Sequence, residues 1–198
     1  MTSLSSKNNS PTGRLFIISG PSQIGKDSVV RALWKDPSLK LKHIITYTTR
    51  AKRPGEKNGL TYNFLTANQF NQLINKGALL EWATVRQSYF GTPKQPVLKA
   101  LQQGLNVILQ IDVQGATQIK KILPNTVLIF ITAESKKEIK RRIFASPKMT
   151  LAQKKSRWQE AINELKYQPE YKYTIVNRFN KLAETVKQTK DIIRSYLT

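Results

Sequence analysis

The chain has 198 residues, with 33 Lys and Arg against 12 Asp and Glu, a net charge of +21, no cysteine and one histidine. Disulfides, thiolate metal centres, cysteine nucleophiles and histidine-rich metal sites are therefore excluded, while the 39% hydrophobic content suffices for one sizeable core. A field of this sign attracts nucleotides and, without specificity, nucleic acid.

No apolar run approaches the roughly 20 residues that cross a bilayer. Residues 1–12 are polar and lack the apolar centre of a signal peptide, so the reading is a cytoplasmic chain with a disordered start. The apolar run 15–18 then reads as a strand, and a helix is expected over 26–34. Between them lies Gly20, Pro21, Ser22, Gln23, Ile24, Gly25, Lys26, Asp27 and Ser28, the GxxxxGK spacing of a phosphate-binding loop. Glycines permit the tight turn, the helix begins with unpaired N–H groups aimed into it, and Lys26 supplies a point charge. Asp27 stands where a Ser or Thr hydroxyl normally ligates magnesium, so either its carboxylate or the Ser28 hydroxyl is expected to hold the metal.

Further along, 43–48 alternates enough for a strand and is followed by a basic loop with Arg50, Arg53, Pro54, Gly55 and Gly59. A short strand is expected over 60–65. Thr66 and Gln69 form a capping box for a helix stopped by Gly77. A strand over 79–85 precedes the turn-like SYFGTP, and a helix over 96–103 closes at Gly104. The strands of 43–96 are too closely linked for right-handed crossovers, which suggests an inserted mixed subdomain.

Strand–helix alternation resumes with strand 106–111, ending beside Asp112, helix 114–122 and strand 127–132. Ser135 and Glu138 cap a basic helix, Thr150 and Gln153 cap another that extends to about 167 and carries Arg157, and 173–176 is a last strand. Leu182, Val186, Ile193 and Leu197 stripe the terminal helix. Interleaved elements of this kind predict an α/β, doubly wound parallel sheet with the loop at a strand's carboxyl end. The core comprises 13–42 and 97–198, with the insertion at about 43–96 and a helical lid at about 136–165.

From about 13 to 196 the sequence resembles the guanylate kinase family in ordered motifs: SGPS, TTR with RPGE, GLTYNF, LEWA, YFGTP, IDVQGA and YTIVN. The resemblance implies transfer of the γ-phosphoryl group of ATP to GMP, with Mg2+. Carried over by motif, Arg50 and Arg53 clamp the GMP phosphate, for which a forked guanidinium is suited, and Tyr62 adds a hydroxyl. Glu81 reads guanine through N1–H and the exocyclic amine. Thr46 and Thr92 surround the base, and Phe90 and Asp112 complete the GMP site. On the donor side Lys26 and the loop amides hold ATP, while Arg142 and Arg157 resemble lid arginines that neutralise the group in flight.

Departures from the family pattern are Asp27, Gln23 in place of a loop glycine, Phe90 in place of a second phosphate-binding tyrosine, and Gln110 in place of an acidic residue. Ala145, Ser146 and Pro147 stand where the lid usually has GRG, with Lys148 as a substitute charge. Together they imply a working but slow or altered kinase. Two other readings stay open: a catalytically impaired binding module, and a ribose bisphosphate phosphokinase, suggested by the shared GKDS.

Overall fold

The computed structural model describes residues 13–147 and 149–197; the expected tail over 1–12 and the substitute charge Lys148 lie outside the described residues. In chain order the elements are β1 (Leu15–Ser19), α1 (Lys26–Trp34), β2 (Leu41–His43), β3 (Tyr47–Thr48), β4 (Asn63–Phe64), α2 (Ala67–Asn75), β5 (Leu79–Val85), β6 (Ser88–Pro93) and α3 (Lys94–Gln102). They continue with β7 (Asn106–Gln110), α4 (Val113–Ile122), β8 (Val127–Thr132), α5 (Lys136–Phe144), α6 (Leu151–Leu165), β9 (Tyr173–Val176) and α7 (Leu182–Arg194).

The main sheet has the order β2-β7-β1-β8-β9 and is parallel throughout. Its central strands β1 and β8 are buried at every position, as continuous apolar runs covered on both faces require. One face packs Phe16, Ile18 and Ile129 against Val29, Leu33, Ile139 and Ile193 of the flanking helices. The other packs Ile17, Leu109 and Phe130 against Val97, Leu101, Ala116 and Ile119. Each such side chain contributes about 1.5–3 kcal/mol by leaving water. The strand order places the loop after β1 between its neighbours β7 and β8, the crevice where an open parallel sheet receives ligands.

A second sheet, β4-β3-β6-β5, is mixed: β3 and β4 are parallel, while β3–β6 and β5–β6 are antiparallel. Its strand β5 is fastened to the main body by Gln118 of α4, whose amide donates to the Trp82 carbonyl at 3.0 Å. The capping box of α2 is complete in both directions, as is that of α6.

Several local expectations change. The single strand over 43–48 is two strands in different sheets, because the chain leaves the parallel sheet after His43 and buries Ile44 on the way. SYFGTP is strand β6 rather than a turn; the turn is Arg86–Gln87, both in left-handed backbone at φ 50 and 64. Strand 60–65 shortens to Asn63–Phe64 because Leu60 and Thr61 turn back onto the Lys57 carbonyl. Helix 96–103 begins two residues earlier, at Lys94. Of the expected stripe on α7, Ile193 is buried and Val186 and Leu197 pack against the core, whereas Leu182 is 39% exposed; Thr185 and Thr189 are buried as well.

Candidate functional site

The loop after β1 turns hard against β8. A Cβ on Gly20, which has φ +134, would lie 2.0 Å from the Ile131 carbonyl oxygen, so no other residue fits. Gly25 then serves as the N-cap of α1. Gln23, where the resemblance leads one to expect glycine, adopts φ 63 and keeps the left-handed shape despite its side chain. For a non-glycine residue that conformation costs roughly 1–2 kcal/mol, and Asn177 helps to hold it. The buried Asn177 amide donates to the Ile24 carbonyl at 2.6 Å and is itself fixed by the Thr185 hydroxyl at 2.8 Å. Sequence reasoning missed this clamp, although Asn177 closes the YTIVN motif.

Lys26 points its ammonium at the Gly20 and Pro21 carbonyls, 2.5 and 2.6 Å away. Burial holds its pKa below the ordinary lysine value, opposed chiefly by the Glu164 carboxylate and then by Asp27. Asp27 and Ser28 are exposed in the first turn of α1, and the Asp27 carboxylate accepts from the Gln110 amide. Gln110 therefore does not supply the acid expected at its position; its amide fixes the Asp27 carboxylate of the loop instead.

At the other end of the crevice Glu81, on β5, is 4% exposed. The Thr92 hydroxyl of β6 donates to its Oε1 at 2.6 Å, whereas the buried Oε2 has no partner. Burial is the main cause that pushes its pKa up to about 7, with the charge of Asp112 adding to it. A Cβ on Gly115 of α4 would come within 2.4 Å of that Oε2, so α4 approaches the carboxylate only because position 115 lacks a side chain. Asp112 caps α4, accepting from the Gln114 and Gly115 amides at 2.8 and 3.1 Å. Thr46 lies on the link between β2 and β3, where its carbonyl accepts from the Asn63 amide.

The basic loop is ordered by Glu56. Arg50 forks onto it through Nη1 at 3.0 Å and Nη2 at 2.7 Å, and the Arg53 amide donates to it at 2.8 Å. Burial works to raise the Glu56 pKa, but these bonds outweigh it and the net shift is downward. The Arg53 side chain stays exposed. Tyr62 lies between the Arg50 guanidinium, 5.5 Å from its ring, and the Phe90 ring at 5.9 Å. Burial, then the charge of Asp27, raises the Tyr62 pKa.

The two expected lid arginines diverge. Arg157 of α6 donates to the Ser22 hydroxyl at 2.7 Å and so touches the loop. Arg142 of α5 is 11% exposed on its side chain and bonds Glu138 at 2.7 Å and the Asn177 carbonyl at 2.9 Å. It lines a cavity of about 580 Å³ beside the loop, with Gln23, Gly25, Ala145 and Phe179, and reaches the phosphates only by leaving those partners. Glu164, one helical face with Arg157, was not singled out from the sequence; its spacing of seven from Arg157 was the available signal. Burial pushes its pKa up to about 7, opposed by Lys26.

Comparisons with known proteins agree with this fold. The family model described as "Guanylate kinase" matches residues 12–196. The chain is 39% identical over 183 residues to the guanylate kinase of Shewanella sp. strain MR-7, covering 92% of this chain and 87% of the relative. It is 40% identical to that of Oceanobacillus iheyensis with the same coverage. The crystal structure of the guanylate kinase from Anaplasma phagocytophilum superposes with a TM-score of 0.77 at 28% identity, covering 92% of this chain and 85% of that one.

Proposed function

The chain belongs to the guanylate kinase family and is an ATP:GMP phosphotransferase, and from that premise we propose which residues carry the transfer of the ATP γ-phosphoryl group to GMP. The observation that carries the assignment is the Glu81 carboxylate, buried with one oxygen bonded to Thr92 and the other without a partner. A buried acceptor left unpaired costs about 1–3 kcal/mol. Guanine relieves it, because N1–H and the exocyclic amine present two donors to one carboxylate, whereas adenine offers an acceptor at N1. Thr92 holds the carboxylate in place, and Thr46 lies beside the base.

The GMP phosphate is assigned to Arg53, Tyr62 and Arg50; both Nη groups of Arg50 are held by Glu56, so the phosphate must replace that carboxylate on the fork. Phe90 contributes only its ring. The ATP phosphates fall to the loop amides of residues 20–28 and to Lys26, whose lowered proton affinity recovers when phosphate charge replaces the carbonyls it now faces. The cavity beside the loop, flanked by Arg142 and Phe179, suits the base of ATP. Arg157 is the lid guanidinium over the transferred group. No general base is required, since the attacking atom is already an anionic phosphate oxygen; alignment and charge suffice.

Asp27 and Ser28 would hold magnesium, whose contribution when bound with ATP is to offset phosphate charge. Their hard oxygens fit such an ion, because magnesium characteristically takes one or two protein oxygens and completes its shell with phosphates and water. Gln110 engages one oxygen of the Asp27 carboxylate, which leaves the other for the ion.

Neither the binding-module reading nor the ribose bisphosphate phosphokinase reading has an observation in its favour. The test is ADP release with ATP and magnesium in the presence of GMP, AMP, UMP or a phosphorylated ribose. GMP-dependent turnover is expected, reduced at least about a thousandfold in Lys26→Ala, in line with the loss of a cation acting on the transferred phosphoryl group. Turnover with phosphorylated ribose but not GMP would overturn the assignment.

A further inference from the structure

Arg86 has no role in the site as assigned. It occupies the first position of the two-residue turn between β5 and β6, where it and Gln87 both keep left-handed backbone at φ 50 and 64. Non-glycine residues avoid that region, and such outliers persist where surrounding contacts fix them. Its side chain leaves the acceptor sheet and crosses to the lid: Nε lies 2.7 and 2.6 Å from the two oxygens of Glu160 on α6. Ser156 steadies that carboxylate at 3.3 Å.

Glu160 sits on a face of α6 that already serves the loop. Arg157, three residues earlier, touches Ser22, and Glu164, four residues later, is the strongest charge favouring the protonated form of Lys26. Spacings of three and four put all three side chains in one row, so Glu160 carries Arg86 to the space above the loop. The Arg86 charge is felt there: after burial, it is among the charges that lower the pKa of both Lys26 and Arg157.

Among its described residues the lid leaves a place for such a cation. Its turn at 145–147 is Ala-Ser-Pro, Arg141 pairs with Glu138, and Arg142 is committed to Glu138 and Asn177. We propose that Arg86 is a further catalytic residue, a guanidinium delivered from the acceptor half through Glu160 to the non-bridging oxygens of the phosphoryl group in transfer. In that step the bond from the γ-phosphorus to the β–γ bridging oxygen breaks, its electron pair leaving with ADP, while an oxygen of the GMP phosphate forms the new bond. Arg86 neither gives nor takes a proton. Both bonds to Glu160 are made through Nε, which leaves the two Nη groups for phosphoryl oxygens. Because Arg86 and Glu160 belong to different halves of the molecule, the charge arrives only when acceptor sheet and lid are together, the state in which transfer to water is suppressed.

This inference rests on the kinase assignment, so wild-type turnover with GMP is measured alongside Arg86→Ala, Arg86→Lys and Glu160→Gln. In Arg86→Ala, kcat is expected to fall about a hundredfold or more, as for arginines acting on a transferring phosphoryl group, with KM for GMP and ATP within about threefold. Arg86→Lys recovers part of the loss, as does added ethylguanidinium in the alanine variant. Affinity for ADP, GMP and aluminium fluoride together drops with kcat, while affinity for ADP and GMP alone does not; Glu160→Gln falls between wild type and Arg86→Ala. A kcat within about threefold of wild type, or a loss that neither lysine nor guanidinium relieves and that leaves the fluoride complex intact, would reduce Arg86 to a strut between the halves. Absence of GMP turnover in the wild type would instead sink the kinase assignment, and this proposal with it.

Discussion

At the end of the crevice proposed to read guanine one carboxylate, Glu81, is sealed between β6 and α4, with Thr92 on one oxygen and the backbone of a glycine against the other. At the end proposed for phosphoryl transfer, α1, the β5–β6 turn and α6 contribute Lys26 and Asp27, Arg86, and Arg157, Glu160 and Glu164, and most of these charges are bonded to one another or to the loop. On the proposed assignment, discrimination between bases rests on the burial of a single group, where tenths of an ångström matter. Catalysis on that assignment rests on the sum of several charges, among which Lys26 and Glu164 are withdrawn from water while Asp27 and Arg86 are exposed. A sum of charges accommodates an aspartate in the loop and a lid turn of Ala-Ser-Pro more readily than a single buried reader accommodates a change beside it.

Gly115→Ala is the sharpest way to break this contrast, because it adds one methyl to the rigid end and no charge to the other. The new Cβ would meet the Glu81 carboxylate at 2.4 Å and force it off its bond with Thr92. Losing one well-placed buried hydrogen bond costs about 1–3 kcal/mol, so KM for GMP should rise roughly ten- to a hundredfold while KM for ATP stays put. A parallel rise in both would show that the two ends are not independent. Phe90→Tyr probes the same end more gently. Its ring already meets Tyr62 edge-on, and a hydroxyl added there returns a donor to the phosphate site. Steady-state kinetics should show KM for GMP falling about three- to tenfold, in line with roughly 1 kcal/mol for one hydrogen bond, with kcat nearly unchanged.

Much of the molecule was legible in the residues because local signals and tertiary context agree. Helix α1 and strands β8 and β9 fall where periodicity and the flanking turn residues place them, and the capping boxes at Thr66 and Thr150 are formed as written. Strand β6 was hidden because its turn uses Arg86 and Gln87 rather than Asn-Gly, so no residue advertised positive φ. The strand over 43–48 was misjudged because alternation cannot show that a chain changes sheets midway. In the site, motif order singled out Glu81, Arg50 and Tyr62 as candidates, each carried by a short stretch of chain. It did not foresee that Arg142 would be engaged by Glu138 and Asn177, that Asn177 would bond the loop at Ile24, or that Arg86 would reach Glu160, since the bonds to Asn177 and Glu160 join residues from distant parts of the chain.

The most direct test of the account is the pH dependence of GMP binding, measured by calorimetry from pH 5.5 to 8.5 on the wild type and on Glu81→Gln. Burial pushes the Glu81 pKa up to about 7 in the free protein, and only the carboxylate accepts both guanine donors. Binding must therefore drive off the proton, and the pKa in the complex lies lower. Affinity should be level above about pH 7.5 and weaken below 7, approaching tenfold per pH unit from this group. The GMP phosphate also titrates near pH 6, and Glu81→Gln retains that contribution, so the difference between the two proteins isolates Glu81. The account predicts a difference curve that bends near pH 7, with weaker binding by the variant at high pH. Superimposable curves, with equal affinity at pH 8, would mean that Glu81 does not read the base.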